Sequence, residues 1–306
     1  MTFKEQYRKL LVEKKQNPAA WHDEAIDLID KTIAPDKWVE AMAVCEAALD
    51  AGKPDESILN LRKEMFSHGK ELHAGVNLND EDYADWFVQL ESFNKKLADA
   101  GVAEAWVELS SLYNNARYPL RDYEKSEEYM LRGVSLDDPL ALTLHGYHLY
   151  HGINYADVDK EKGRELMLRA KEKNFERAET YLIMSEFHSD IAFDVYEQKI
   201  KDNIAAAKPA DRLWGLLGDL YHDRLDDVEK ALEAYNKGIE TSNDPYCNYR
   251  KALLILNDAV EGDSDEALLM LKEAYEWNIV HAADFSGRFY CYSEKHRNVA
   301  KAIEWY

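Results

Sequence analysis

Leu213–Glu240, LWGLLGDLYHDRLDDVEKALEAYNKGIE, decides how the rest of the chain is read. It divides at His222–Asp226 into two amphipathic helices whose large and small apolar residues are placed to interlock. The first half carries Trp214, then Leu217-Gly218, then Tyr221, a W-x-x-L-G-x-x-Y spacing. The second half sets Ala231, Tyr235 and Gly238 on one helical face. A bulky residue on one helix needs a Gly or Ala opposite if the two backbones are to approach. Such a pair cannot bury its apolar face alone, so similar pairs must flank it.

They do. One anchor position at the start of each second helix can be followed through the chain: Glu40, Gln89, Lys125, Lys162, Lys199, Lys230, Glu266 and Lys301. Successive gaps are 49, 36, 37, 37, 31, 36 and 35 residues, so one unit of near-constant length recurs, with an insertion in the first gap placed within Ser67–Asn79. The residue after each anchor is Ala41, Leu90, Ser126, Gly163, Ile200, Ala231, Ala267 or Ala302, mostly small, as a close helix crossing needs. Eight after the anchor come Ala48, Leu97, Gly133, Ala170, Ala207, Gly238 and Ala274, two turns along the same face. Twelve after it come Gly52, Gly101, Asp137, Asn174, Asp211, Ser242 and Asn278, a column rich in residues that tolerate the left-handed turn ending a helix.

Proline placement agrees: Pro54, Pro139, Pro209 and Pro245 fall between units, and Pro18, Pro35 and Pro119 between helices. Phe3–Gln16 reads as a polar lead-in helix stopped at Asn17-Pro18. No alternating strand pattern competes, and the expected fold class is all-α.

These columns resemble Sel1-like repeats and their tetratricopeptide relatives. Leu213–Glu240 resembles a tetratricopeptide repeat, with one extra residue between Tyr221 and Ala231. The stretches from Leu112-Tyr113 to Ser126 and from Leu149-Tyr150 to Gly163 resemble Sel1 repeats, with Asp122/Lys125 and Asp159/Lys162 opening the second helix. The resemblance covers 101–306 well and 19–100 only through the anchor register. Phe175–Asp211 is degenerate, with Phe187 at the landmark Tyr position, and in the next unit but one Glu266 replaces Lys while Asn257 stands near the expected aromatic. The resemblance implies a right-handed α/α superhelical solenoid of roughly eight antiparallel helix pairs, first helices on the concave side, with 1–100 as lead-in and degenerate repeats continuous with 101–306. Asn298–Tyr306 stops five residues past its anchor, so the array is expected to be cut short there.

A chain of 306 residues with 46% hydrophobic and 32% charged residues is neither disordered nor membrane-spanning by composition. Met1–Leu11 has no apolar segment of a secretory signal, and Cys45, Cys247 and Cys291 are too few for a disulfide framework, so a cytoplasmic location is expected. The net charge of −21 repels nucleic acid and anionic membranes and makes a basic protein or peptide the natural partner.

Catalytic signatures are missing: no P-loop, no G-x-G-x-x-G after a strand, no H-E-x-x-H, no nucleophile elbow. Asp263-Ser264-Asp265-Glu266 begins like a calcium loop but lacks its Gly and terminal Glu, and with Asn79–Asp82 reads as helix capping. The 7 Trp and 19 Tyr fall mainly on packing columns rather than in a sugar-stacking groove; Trp21, Trp38, Trp86, Trp106, Trp214, Trp277 and Trp305 and the three Cys read as core. No cofactor or metal is expected and no enzymatic activity. The expected function is a protein–protein interaction scaffold holding a basic peptide or protein in the groove the resemblance implies. The alternative is an enzyme or small-molecule sensor on an α/α solenoid, such as a glycosidase-like protein.

Groove candidates come from positions five and two before the landmark aromatic and one after it. Around Tyr150 these are His145, His148 and His151; the position after the landmark also gives His188 and His222. Ser185, Asp219, Asp223 and Arg288 complete the partner-binding set. His151, His188 and His222 are expected to form a ladder, too widely spaced for a shared zinc ion, whose charged form nearby acids such as Asp219 and Asp223 favour. Partner affinity is then expected to change between about pH 5.5 and 7.5, and the triple alanine variant of the ladder to abolish that change.

Overall fold

The computed structural model describes residues 2–29, 35–52, 55–66, 79–117, 119–153, 156–206, 212–276, 279 and 281–305. Among them all regular structure is helical, and none of the helices is long and apolar enough to cross a membrane. Contacts divide the chain into two compact units, Met1–Ala178 and Glu179–Tyr306. Each is built from antiparallel helix pairs, the arrangement of an all-α helical-repeat solenoid.

The first unit begins with α1 (Phe3–Gln16), a short 3-10 turn at Pro18–Ala20, α2 (Trp21–Leu28), α3 (Pro35–Asp50), α4 (Glu56–Phe66) and α5 (Asp80–Asp99). α1 is more than a lead-in. Its Phe3 and Tyr7 are buried and it packs on both α3 and α5. Charge ties the three together: the Tyr7 hydroxyl donates to Glu46, Lys96 pairs with Glu46, and Asp50 accepts from Lys96 at 3.0 Å and Lys15 at 2.6 Å. Trp38 and Trp86 meet in the middle at 6.3 Å. The unit continues with the pairs α6 (Glu104–Asn115)–α7 (Tyr123–Ser135) and α8 (Pro139–His151)–α9 (Lys160–Glu172).

α10 (Glu176–Ser185) begins at the end of the first unit. The second unit runs on through α11 (Phe193–Ala205), α12 (Leu213–Leu225), α13 (Val228–Ser242), α14 (Pro245–Leu256), α15 (Ser264–Glu276), α16 (His281–Tyr292) and α17 (Val299–Trp305). The degenerate stretch is repaired from outside it: Arg224 of α12 donates to the carbonyls of Ile191 at 3.0 Å, Ser189 at 3.2 Å and Phe187, holding the turn that follows α10.

The register of small residues corresponds to burial throughout. Ala41, Leu90, Ser126, Gly163, Ile200, Ala231, Ala267 and Ala302 are all buried. In the column eight past the anchor, Ala48, Leu97, Gly133, Ala170, Gly238 and Ala274 are buried, while Ala207 lies outside the described residues. Gly52, Gly101, Asp137 and Asn174 end their helices with positive φ of 64°, 90°, 59° and 59°. One stop is displaced: Ser242 is still helical, and the left-handed residue is Asn243 at φ 49°. Asp211 and Asn278 lie outside the described residues, as do Pro54, Pro209, Trp277 and all but Asn79 of the expected insertion, Ser67–Asn79. Pro35, Pro139 and Pro245 each open a helix, where the missing N–H costs nothing.

Three residues before the anchor, Asp122, Asp159, Asp227, Asp263 and Asn298 each accept the anchor's backbone N–H at 3.0–3.1 Å. The acidic residues that begin like a calcium loop therefore cap α15, and Asn79 caps α5 by accepting from the Asp82 N–H at 2.9 Å. Trp21, Trp38 and Trp86 are buried, and Trp106, Trp214 and Trp305 half-buried. Cys45 and Cys247 are buried free thiols, and Cys291 is half-buried.

Candidate functional site

The residues proposed from sequence fall into both units and are best taken unit by unit. In the first, His145, His148 and His151 lie on α8. His145 is buried, and desolvation, followed by the Lys162 charge, lowers its pKa. His148 is pushed down to about 4, by burial first and then by the neighbouring His145. His151, at the helix end, is half-buried between the rings of Tyr147 at 4.5 Å and Tyr150 at 5.0 Å. Two of these three imidazoles therefore stay neutral at pH 7 because hydration of the cation is denied them.

In the second unit, Ser185 is the last residue of α10, buried and donating to the Tyr181 carbonyl at 2.8 Å. α10 ends there, so His188 lies in the turn beyond it, exposed, with its ring edge-on to Phe187 at 4.9 Å. Asp219, His222 and Asp223 lie on α12, and Arg288 on α16. His222 Nδ1 is 2.8 Å from Asp223 Oδ1. Arg288 is exposed and its Nη1 lies 3.7 Å from Asp284, one turn earlier.

Asp219 is the centre of the most organised polar cluster of the second unit. Gly218, just before it, admits the Tyr235 ring of α13 so closely that a Cβ would collide with it. The Tyr235 hydroxyl donates to Asp219 Oδ1 at 2.7 Å and that of Tyr246, from α14, to Oδ2 at 2.6 Å. Arg250, also from α14, places Nε 2.7 Å from Asp219 Oδ1 and 3.0 Å from the Tyr235 hydroxyl, with Nη2 3.5 Å from Asp223. Burial holds the Asp219 carboxyl above the usual carboxylate range, and the Arg250 charge and the two phenols offset only part of that. Burial first, then the Asp219 charge, raises both the Tyr235 and Tyr246 phenols, so they remain donors across the physiological range.

This cluster joins three helices and leaves carboxylates displayed beside it. Asp223 on α12 and Asp284 on α16 are 46% and 59% exposed. α14, the first helix that comes between these two in the chain, carries the half-buried rings of Tyr246 and Tyr249, 6.1 Å apart. Exposed carboxylates and aromatic rings are both groups that attract a cation. Among the described residues no group of three His, Cys, Asp or Glu side chains is placed to hold a metal ion.

Spacing along single helices marked Asp219, His222, Asp223 and Arg288 but missed Tyr235, Tyr246, Tyr249 and Arg250. Their roles arise across helices, and i, i+4 periodicity carries no information about which side chain of the next repeat reaches back. The one available signal was an Arg and two Tyr in Pro245–Leu256, one repeat after a buried-face Asp.

A family model described as tetratricopeptide repeat matches residues 211–245, which contain Asp219, His222 and Asp223. A solved Sel1 repeat protein from Oxalobacter formigenes is similar at 16% identity and a TM-score of 0.43, over 70% of this chain and 96% of that one. The protein c5321, a protective antigen present in uropathogenic Escherichia coli strains and displaying an SLR fold, is similar at 16% identity and a TM-score of 0.37 over 87% of this chain. The chain spans 60% of the length of that second structure. No curated protein sequence matches. The chain is thus similar to Sel1-like and tetratricopeptide repeat proteins.

Proposed function

We propose that the chain is an interaction scaffold that binds a basic peptide or protein segment on the first-helix face of its second unit. The observation that carries this reading is the pair of exposed carboxylates, Asp223 and Asp284, on the first helices before and after the one that carries Tyr246 and Tyr249. The Asp219–Tyr235–Tyr246–Arg250 cluster fixes that face in place, so little ordering entropy is lost on binding. The net charge of −21 adds long-range attraction for a cationic partner and repulsion of nucleic acid. His222, paired with Asp223, lies at the edge of the same face, and Arg288 borders it on α16.

The test is retention of proteins from lysate on the immobilised chain and on its Asp223→Asn, Asp284→Asn double variant, at low and high salt. The expected result is a basic protein retained at low salt, lost at high salt, and lost from the double variant at either. Equal retention by the variant overturns the reading. So does turnover of a small molecule by a chain that retains no protein.

A further inference from the structure

In the second unit α12, α14 and α16 each place a small buried residue directly before one on the shared face: Gly218-Asp219, Ala252-Leu253 and Gly287-Arg288. Two residues before the small one stand Leu216, Arg250 and Phe285. Equivalent positions therefore carry different chemistry in successive repeats. Between α12 and α14, Arg250 reaches back to Asp219 at 2.7 Å and toward Asp223 at 3.5 Å, and the space is filled from within. In the next repeat Phe285 takes the place of Arg250 and Leu253 that of Asp219, so this ion pair has no counterpart.

A depression of 580 Å³ lies beside Phe285, between the C-terminal ends of α14 and α16. Leu256, Phe285, Phe289 and Tyr292 supply its apolar lining. Phe285 and Phe289 are stacked at 6.4 Å with an interplanar angle of 19°, and Tyr292 is 82% exposed. At the rim Arg288 and Lys295 are balanced by Asp258 and Glu294, so the mouth itself does not select by charge. With Asp284, exposed one residue before Phe285 and 3.7 Å from Arg288, three acids stand against two bases around the mouth, a small excess of negative charge.

We propose that this depression receives one aromatic or leucine-sized side chain of a cationic peptide whose basic residues lie along Asp223 and Asp284. The inference rests on the proposed binding of a basic segment to the same face and adds an apolar anchor to it. Two features support that occupant. The volume accommodates one large side chain, and the surrounding charge repels an acidic peptide while admitting a basic one. Burying such a side chain against these walls is worth roughly tenfold or more in affinity, on the order of what a large apolar side chain gains on leaving water.

The test uses three fluorescein-labelled twelve-residue probes followed by anisotropy: a lysine-rich peptide with one central Trp, the same peptide with Ser for Trp, and a glutamate-rich peptide with the Trp. The full chain and two surface variants are titrated. Tyr292→Ser removes the exposed wall, and Asn257→Trp, at an exposed rim position, fills the depression. The Trp-bearing basic probe is expected to bind at least tenfold more tightly than the Ser probe. Either variant should reduce it to the level of the Ser probe without changing the Ser probe's own affinity. Equal binding of the two basic probes, or indifference to both variants, overturns the anchor while leaving the basic-segment reading standing. Failure of both basic probes to bind, or preference for the glutamate probe, overturns the two together.

Discussion

The α8–α9 and α12–α13 pairs occupy equivalent places in the repeat yet are closed by different means. In α8–α9 two glycines face each other, and a Cβ on Gly146 would stand 2.6 Å from the Gly163 carbonyl oxygen. The backbones touch, and the linker between the helices is long. In α12–α13 one glycine, Gly218, faces the ring of Tyr235, and the two helices are joined through Asp226 and Asp227. Their polar contents differ as well. α8 encloses two histidines that burial keeps neutral, whereas α12 encloses an aspartate answered by an arginine and two phenols. Small against small gives close backbones with nothing between them. Small against large leaves a ring whose hydroxyl can be used. The second solution builds the cluster on which the proposed binding face rests.

The largest expected effect tests that cluster. Arg250→Ala leaves Asp219 buried with its charge answered by hydroxyls alone, and removing one partner of such a pair costs about 3 kcal/mol. Urea unfolding read by circular dichroism should show this loss. The Asp219→Ala, Arg250→Ala double variant should recover part of it, because no orphaned charge remains. A double variant whose loss equals the sum of the Arg250→Ala and Asp219→Ala losses would show that the pair is not coupled.

Acid should separate the pairs in the opposite sense. The His148 pKa falls from about 6.5 in the unfolded chain to about 4 in the fold, because burial and then His145 oppose its charge. Above pH 6.5 neither state binds the proton, and the stability that neutrality confers is fully present. As the pH falls from about 6.5 toward 4 the unfolded chain takes up a proton the folded one refuses, and about 2–3 kcal/mol is lost. His145 shifts in the same direction. His148→Gln should flatten this part of the stability profile between pH 6.5 and 4. An unchanged slope would mean that the imidazole is hydrated.

Packing effects come next. Gly146→Ala directs a methyl at a backbone carbonyl that cannot rotate away, and Ala231→Leu overfills a fully buried crossing. Each should cost about 2 kcal/mol, within the usual range for overpacking. A melting temperature indifferent to Ala231→Leu would contradict the register itself.

That register is what the sequence disclosed best. Small residues such as Ala231 and Gly163 can be recognised from spacing because a close helix crossing leaves little room, although Leu90 and Ile200 hold the same column in two units. Helix stops were legible where Gly or Asn must adopt positive φ, and off by one at Ser242 because the neighbouring Asn243 serves equally well. α1 misled because its polar composition hides two buried aromatics, Phe3 and Tyr7, that only the fold of α3 and α5 makes necessary. Of the candidate site, the α12 carboxylates were readable as face positions. Arg250 and Tyr246 were not, since their partners lie 15 to 31 residues away and on other helices. The end of α10 at Ser185, which takes His188 off the helix, follows from a turn held by Arg224, again a contact no local pattern encodes.

The smallest effect concerns why the anchor is so often lysine. Lys125, Lys230 and Lys301 stand over the landmark rings of Tyr113, Tyr221 and Tyr290 at 4.9, 5.7 and 5.3 Å. In the pair α14–α15 the anchor is Glu266, and there Asn257 stands near the expected aromatic, so the cation and the ring are lost together. The lysine stem covers the ring edge while its ammonium is drawn to the face, an arrangement worth about 0.5–1 kcal/mol at exposed sites. Lys125→Met keeps the stem and removes the charge, and should cost about 0.5 kcal/mol at low salt. In a Tyr113→Leu background the Lys125→Met change should cost only what the exposed Asp122 pairing at 3.8 Å contributes, and a double-mutant cycle measures the difference directly. Glu266→Lys should bring no comparable gain, because Asn257 offers it no ring. A gain there equal to the Lys125 loss would mean that the anchor answers the surrounding negative charge and not the aromatic.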